Sequence, residues 1–154
     1  MARLLNATCR AVLFLAVSVA AAAPADRITR PVDPSRTRIV PGHLRSAAQP
    51  LFDAGQADPA MALDYIVLLV KPSQAQQSDL ERMLVDQQNP ASPMFRRWLT
   101  PEQFADRFGL SAGDEAKISR WLTSAGFNLL RHSRSRNWIA FRGTAGQVAS
   151  ALGA

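Results

Sequence analysis

The sequence predicts an α+β fold: a two-layer sandwich of βαββαβ type, with an antiparallel sheet and helices on one of its faces. Three observations carry that prediction. The apolar run Tyr65-Ile66-Val67-Leu68-Leu69-Val70 is stopped by Lys71-Pro72, as a buried strand would be. Hydroxyl residues stand as N-caps at Ser73, Thr100 and Thr144, each just ahead of a helical pattern. Phe127 to Ser133 and Asn137 to Arg142 then read as two strands around the polar turn Arg134-Ser135-Arg136.

The first 25 residues do not belong to that fold. Arg3 and Arg10 precede the uncharged run AVLFLAVSVAAAA, and small residues follow it, which is the order of a secretory signal peptide. Cleavage is expected after Ala25, because the earlier Ala-x-Ala sites leave Pro24 close behind the cut. The run is short for a membrane span, so removal is favoured over an uncleaved anchor. The mature chain is then secreted, extracellular or periplasmic. It loses Cys9 and with it all disulfide and thiol chemistry, and its formal net charge falls from +6 to +4. That mild excess suits an acidic partner and falls short of a nucleic-acid binder.

Residues 26–60 hold Pro31, Pro34, Pro41, Pro50 and Pro59 with Gly42 and Gly55, and show no sustained period. They read as an extended leader arm with turns, or as a linker. Ile39, Val40, Leu44, Leu51 and Phe52 suggest that it lies on a surface. The domain proper spans 61–154. After the first strand, Ser73 and Gln76 form a capping box, and Leu80, Met83, Leu84 and Gln87 make one buried stripe. Asn89-Pro90 ends that helix. Thr100-Pro101-Glu102-Gln103 starts a short one, with Phe104 and Phe108 on one face and Gly109 as its C-terminal cap. Ser111 opens the next, whose stripe is Ile118, Trp121, Leu122 and Ala125, with Gly126 as cap. After the two strands, Gly143-Thr144 turns into a last helix carrying Ala145, Val148, Ala149 and Leu152 on one face. A βαββαβ sandwich needs one more strand. Either the sheet has three strands or the sequence is a fragment, and we favour the fragment.

Catalytic parts are missing from the pattern. His43 and His132 stand apart and read as surface or structural histidines, and no spacing suits zinc. No nucleophile elbow, phosphate loop or dinucleotide fingerprint appears, and Gly143 to Gly146 fits a strand-to-helix turn. Asp79, Glu81, Asp114 and Glu115 are expected on polar faces or first turns of helices. No cofactor or metal is expected on this chain. The segment His132 to Trp138 sets a basic turn beside a Trp, yet no RNP-like motif accompanies it, so no nucleic-acid partner is expected.

One pattern does call for a partner. Ile66, Leu68 and Val70 point one way and Tyr65, Val67 and Leu69 the other; Trp138 and Ala140 likewise oppose Ile139 and Phe141. Both faces of the sheet are apolar, and the sequence supplies helices for about one layer. The open face is expected to dock on another protein. Its candidate residues are Trp138 and Ala140 with the flanking Arg131, Arg134, Arg136 and Arg142.

The stretch from Leu68 to Ser111, followed by ISRWLTSAGFNLL and NWIAFRGTAGQV, resembles the activation prodomain of the sedolisin, or kumamolisin-like serine-carboxyl, peptidases. The core is a D-Q-Q-x-P-x-S-P…W-L-T-P-E-Q-F…F-G pattern, seen here from Asp86 through Trp98, Leu99, Thr100, Pro101, Glu102, Phe104 and Phe108 to Gly109. Trp121, Gly126, Phe127, Asn137, Gly143 and Thr144 continue it in order, and Arg36 and Asp53-Ala54-Gly55 match the leader of bacterial members. The resemblance covers nearly all of the mature chain. It assigns Trp98, Leu99, Phe104 and Phe108 to plugging the core.

The resemblance implies a ferredoxin-like propeptide that precedes a subtilisin-like catalytic domain with a Ser-Glu-Asp triad and a calcium site. It implies that the propeptide assists folding of that domain in cis, covers its cleft and leaves by acid-triggered self-cleavage. No catalytic or calcium-binding residue of the family falls on this sequence, so this chain is not itself expected to be an enzyme, nor to stay with a membrane once the signal is removed. Two other readings stand beside it: a stand-alone propeptide-like protease inhibitor, and an envelope-binding module that uses the basic turn.

Overall fold

The computed structural model describes residues 24–33, 36, 38, 40–42, 46 and 48–153. Most of the signal segment, with Arg3, Cys9 and Arg10, lies outside the described residues, as do Pro34, Ile39, His43 and Leu44. The chain folds as strand β1 (Ala62–Leu69), helices α1 (Gln74–Gln88), α2 (Pro101–Phe108) and α3 (Ala112–Ser124), strands β2 (Asn128–His132) and β3 (Trp138–Thr144), and helix α4 (Ala145–Leu152). It is an α+β domain with a small three-stranded antiparallel sheet in the order β1-β3-β2, consistent with the ferredoxin-like propeptide fold.

Strand β3 is the centre of the molecule. Ile66 and Leu68 of β1 pair with Phe141 and Ile139, and Leu129 of β2 pairs with Phe141 from the other side. Partners in register share a face, so these side chains converge with Leu110, Ile118, Leu122 and Phe127 in one core. The Phe127 and Phe141 rings meet edge to face with centroids 4.9 Å apart, the arrangement their quadrupoles favour. β1 starts earlier than its apolar run. Ala62 and Leu63 extend the ladder to Thr144 and Gly143, across an irregularity between Leu63 and Ile66.

The helix starts follow the sequence closely. Ser73 with Gln76, Thr100 with Gln103, and Thr144 with Gln147 each form the reciprocal capping box, and Ser111 caps α3 through the Asp114 amide. The first amides of α4 find their acceptors where the arm runs into β1. Gly146 donates to the Pro59 carbonyl at 2.9 Å and Ala145 to that of Met61 at 3.0 Å.

Three expectations need correction. Leu84 is 46% exposed and leaves the buried stripe of α1, where Met83 and Gln87 are the buried members. Trp98 is 71% exposed and does not plug the core. The connector before α2 is held by polar contacts: Arg96 donates to the Gln87 carbonyl at 3.0 Å, and the Gln87 side chain donates back to the Arg97 carbonyl. Neighbouring residues of such an extended stretch face opposite ways, so turning Leu99 inward turns Trp98 out. Gly109 caps α2 as expected, with extended backbone at φ −78°. Its lack of a side chain serves close approach, since a Cβ there would lie 2.5 Å from the Ser135 carbonyl oxygen. Lastly, Leu51 and Phe52 of the arm are exposed on a single 3-10 turn, Pro50–Phe52; the arm instead touches the domain through Ile28 and Pro59.

The C-terminal end of α2 is fastened to α1. The Arg107 guanidinium grips Asp79 of α1 with two hydrogen bonds of 2.7 Å, and Gln76 donates to the carbonyls of Arg107 and Gly109. Gly109→Ala should therefore destabilise the domain by about 1–3 kcal/mol, because the α2–α3 junction must move off the β2–β3 turn. Trp98→Ala should stay within about 0.5 kcal/mol of the parent. Urea midpoints at neutral pH check both. A large loss at Trp98 would mean that its ring is buried in solution.

Candidate docking surface

The face of the sheet turned away from the core is built by the same alternation that builds the core. Val67 pairs with Ala140 and Leu69 with Trp138, while Arg131 of β2 lies opposite Ala140 on the other side. Tyr65 (59% exposed), Val67 and Leu69 (71% exposed) stand open to solvent along the β1 half. Trp138 is half-buried, and Ala140 is fully covered because its methyl group sits between the taller Val67 and Arg131. The Arg131 guanidinium lies over the Trp138 ring at 5.3 Å, a cation–π contact that lays the arginine flat across the sheet. Arg142, exposed at the far end of β3, pairs across the strands with Asn128. The surface is therefore apolar on the β1 side and basic on the β2 side.

The four arginines separate into two pairs. Arg131 and Arg142 belong to the open face. Arg134 and Arg136 sit on the β2–β3 turn and are matched inside the chain: Arg134 meets Glu102 of α2 and Arg136 meets Asp106, each at 2.6 Å. The hydrogen bond from Arg134 holds the Glu102 carboxyl below its ordinary range. The turn is rigid for its size. Ser133, Ser135 and Asn137 share hydroxyl and amide hydrogen bonds of 2.6–2.8 Å, and Leu110 donates to the Arg136 carbonyl. Arg136 adopts the left-handed region, φ 49°, to close it.

Among the other sequence-selected residues, Phe108 and Phe127 are buried, Leu99, Phe104 and Trp121 half-buried, and Pro101 and Glu102 exposed on the first turn of α2. His132 meets Glu115 of α3 at 2.9 Å. Among the described residues, no group of three or more His, Cys, Asp or Glu side chains is placed to hold a metal ion. No helix among them is long and apolar enough to cross a membrane.

Sequence reasoning missed one residue of consequence. Asp114, expected on a solvated first turn, is completely buried. Its carboxylate accepts the backbone amides of Arg27 and Ile28 from the leader arm. The Ser111-x-x-Asp114 pattern signals a helix start and says nothing about a distant segment arriving there.

The described residues thus form an α+β module with one apolar sheet face open to solvent along β1. The family model "Pro-kumamolisin, activation domain" matches residues 51–154, and the chain belongs to that family, the propeptides of sedolisin-type peptidases. It is also similar to aorsin of Aspergillus oryzae, 31% identical over 77 residues that cover 47% of this chain and 12% of that protein. The match thus takes in only a small part of the length of this curated relative.

Core and open face should respond oppositely to substitution. Ile139→Ala is expected to cost about 2–5 kcal/mol, whereas Leu69→Lys, one strand away on the open face, should change stability by no more than about 0.5 kcal/mol. Denaturant unfolding of the two variants measures the contrast. A core-sized loss for Leu69→Lys would mean that this face is already covered.

Proposed function

We propose that this chain is the amino-terminal pro-segment of a secreted sedolisin-type endopeptidase, acting in cis as a folding assistant for the catalytic domain and as its temporary, acid-released inhibitor. The observation that carries this reading is the exposed apolar face Tyr65, Val67 and Leu69, beside half-buried Trp138, on a domain of this family. Fully covering a Val or Leu side chain is worth about 1.5–3 kcal/mol, so a few such residues supply a useful docking energy. Arg131 and Arg142 border the patch and favour a partner with carboxylates at its rim.

Such pairing makes the contact pH-dependent with a definite sign. A partner carboxylate paired with Arg131 or Arg142 has its pKa lowered in the complex. The stabilisation is then complete above the free carboxylate's value and is lost as the pH falls through the bound value. A propeptide held this way binds at neutral pH and leaves in acid. The same face explains the folding role. A half-formed catalytic domain exposes apolar surface, and a preformed sheet that covers it favours the compact state by mass action.

Inhibition of a sedolisin-type catalytic domain by the added chain provides the test. Inhibition should be strong at neutral pH and weaken in acid, and the double variant Val67→Lys, Leu69→Lys should lose at least about tenfold in potency while keeping its fold. Equal potency at both pH values would remove the acid release. Undiminished potency of the double variant would remove the open face as the docking surface.

A further inference from the structure

The leader arm does not simply trail from the domain. Residues 26–32 lie alongside α3 with a bend at Arg30, and Ile28 packs against the core cluster. The strap is tied down at its beginning by four side chains, none of which touches the open sheet face. Asp114, with no exposed surface, accepts the Arg27 amide and, at 3.1 Å, the Ile28 amide. Lys117, one turn further along α3, reaches Asp26 at 2.7 Å, the Ile28 carbonyl at 2.8 Å and Asp114 at 3.2 Å. Ser111 donates its hydroxyl to Asp26 at 2.6 Å while it caps the helix through the Asp114 amide. The Asp26 carboxylate lies so close to Gly113 that a Cβ there would come within 2.6 Å of both oxygens. The clasp is thus specific in shape as well as in charge.

We propose that this clasp is an acid-released latch, which holds the amino-terminal strap on α3 at neutral pH and frees it on acidification, uncovering the Ile118–Trp121 side of that helix. The strap forms one wall of a cavity of about 770 Å³ with Ile28, Pro31 and Val32, and α3 forms the other with Ile118 and Trp121. Letting the strap go opens that apolar groove. This inference concerns the chain alone and stands or falls separately from the docking of the sheet.

Charge gives the direction. Two carboxylates, Asp26 and Asp114, face each other across Lys117. Apart from Asp33 at the far end of the strap, the remaining ionic groups near the clasp are basic. Arg27 and Arg30 lie on the strap, Arg120 on α3, and Lys71 lies beyond β1, where Arg27 donates to its carbonyl at 3.0 Å. Glu115, the next acid on α3, is turned to His132. Protonating the two aspartates therefore weakens the charge-assisted bonds and leaves Arg27 and Arg30 of the strap on the side of Lys117 and Arg120 of α3.

The groups titrate in the required sense. Burial pushes the Asp114 carboxyl up, but the Arg27 and Ile28 amides and Lys117 together hold it below the ordinary 3.8. The hydrogen bonds from Lys117 and then Ser111 hold Asp26 below 3.8 as well. Both contributions are complete above the ordinary aspartate value and are lost as the pH falls through the lowered ones. Lys117, raised above 10.5 chiefly by Asp26, stays charged through the whole of that range.

Amide hydrogen exchange of the full chain, pulse-labelled after equilibration at neutral pH and at steps below 3.8, tests the latch. Protection of the Arg27 and Ile28 amides should fall by about ten- to a hundredfold in acid, while the Ile139 and Phe141 amides of β3 keep theirs. Asp114→Asn should show the same selective loss at neutral pH. Should that buried variant not fold, the partly exposed Asp26→Asn should still lower strap protection several-fold at neutral pH. Three results would each overturn the proposal: strap amides that stay protected in acid, strap and β3 amides that lose protection together, or unchanged protection in Asp26→Asn.

Discussion

In β3, Ile139 and Phe141 look into the core and Trp138 and Ala140 look out of it, and that strict alternation on the central strand constrains everything else. A strand paired on both sides has no edge on which to relax its register, and a slip of one residue would exchange the two faces. The β1 partners Ile66 and Leu68 are thereby committed to the helices, and Val67 and Leu69 to the opposite side. α3 and the arm cover the inner face, whose core residues Ile118, Leu122 and Phe127 close over Phe141. The outer face keeps Tyr65, Val67 and Leu69 in solvent. Antiparallel sheets with one solvated face commonly carry polar residues at such positions.

Rigidity around this sheet comes from polar groups as much as from the core. α2 has only eight residues, too short to be stable by propensity. It persists because Asp79 and Gln76 of α1 hold its last turn, while Glu102 and Asp106 reach the arginines of the β2–β3 turn. Gly109 then lets the helix end touch the Ser135 carbonyl. The family pattern from Trp98 to Gly109 is thus mainly a device for fastening a short helix between α1 and a turn. Two of the basic residues that seem free in the sequence are used in that fastening.

The two contacts proposed to be acid-labile lie at separate places in the domain. The docking proposal sets Arg131 and Arg142 of the sheet face against a partner's carboxylates, whereas the strap rests on the chain's own Asp26 and Asp114. Both arrangements set carboxylates against cations whose own charge does not change in mildly acid solution. Their release therefore has the same sign by the same physics.

Much of this was legible in the residues because it is local or periodic. Each helix start was readable from the cap and the residue three places on, and the commitment of Tyr65 to Val70 and Trp138 to Phe141 to two faces followed from a period of two. The sequence by itself thus determined the helix starts, the order of strands and helices, and the presence of an apolar face beyond the helices' reach. Only the tertiary structure decided what depends on distant segments meeting. Trp98 and Leu84 face solvent because no second element arrives over them, and Arg134 and Arg136 find Glu102 and Asp106 more than 25 residues away. Asp114 is buried because residues 26–28 come to lie on it from more than 80 positions away. Caps and alternation are set by neighbours along the chain, whereas burial and pairing of a charge are set by whatever the fold brings next to it.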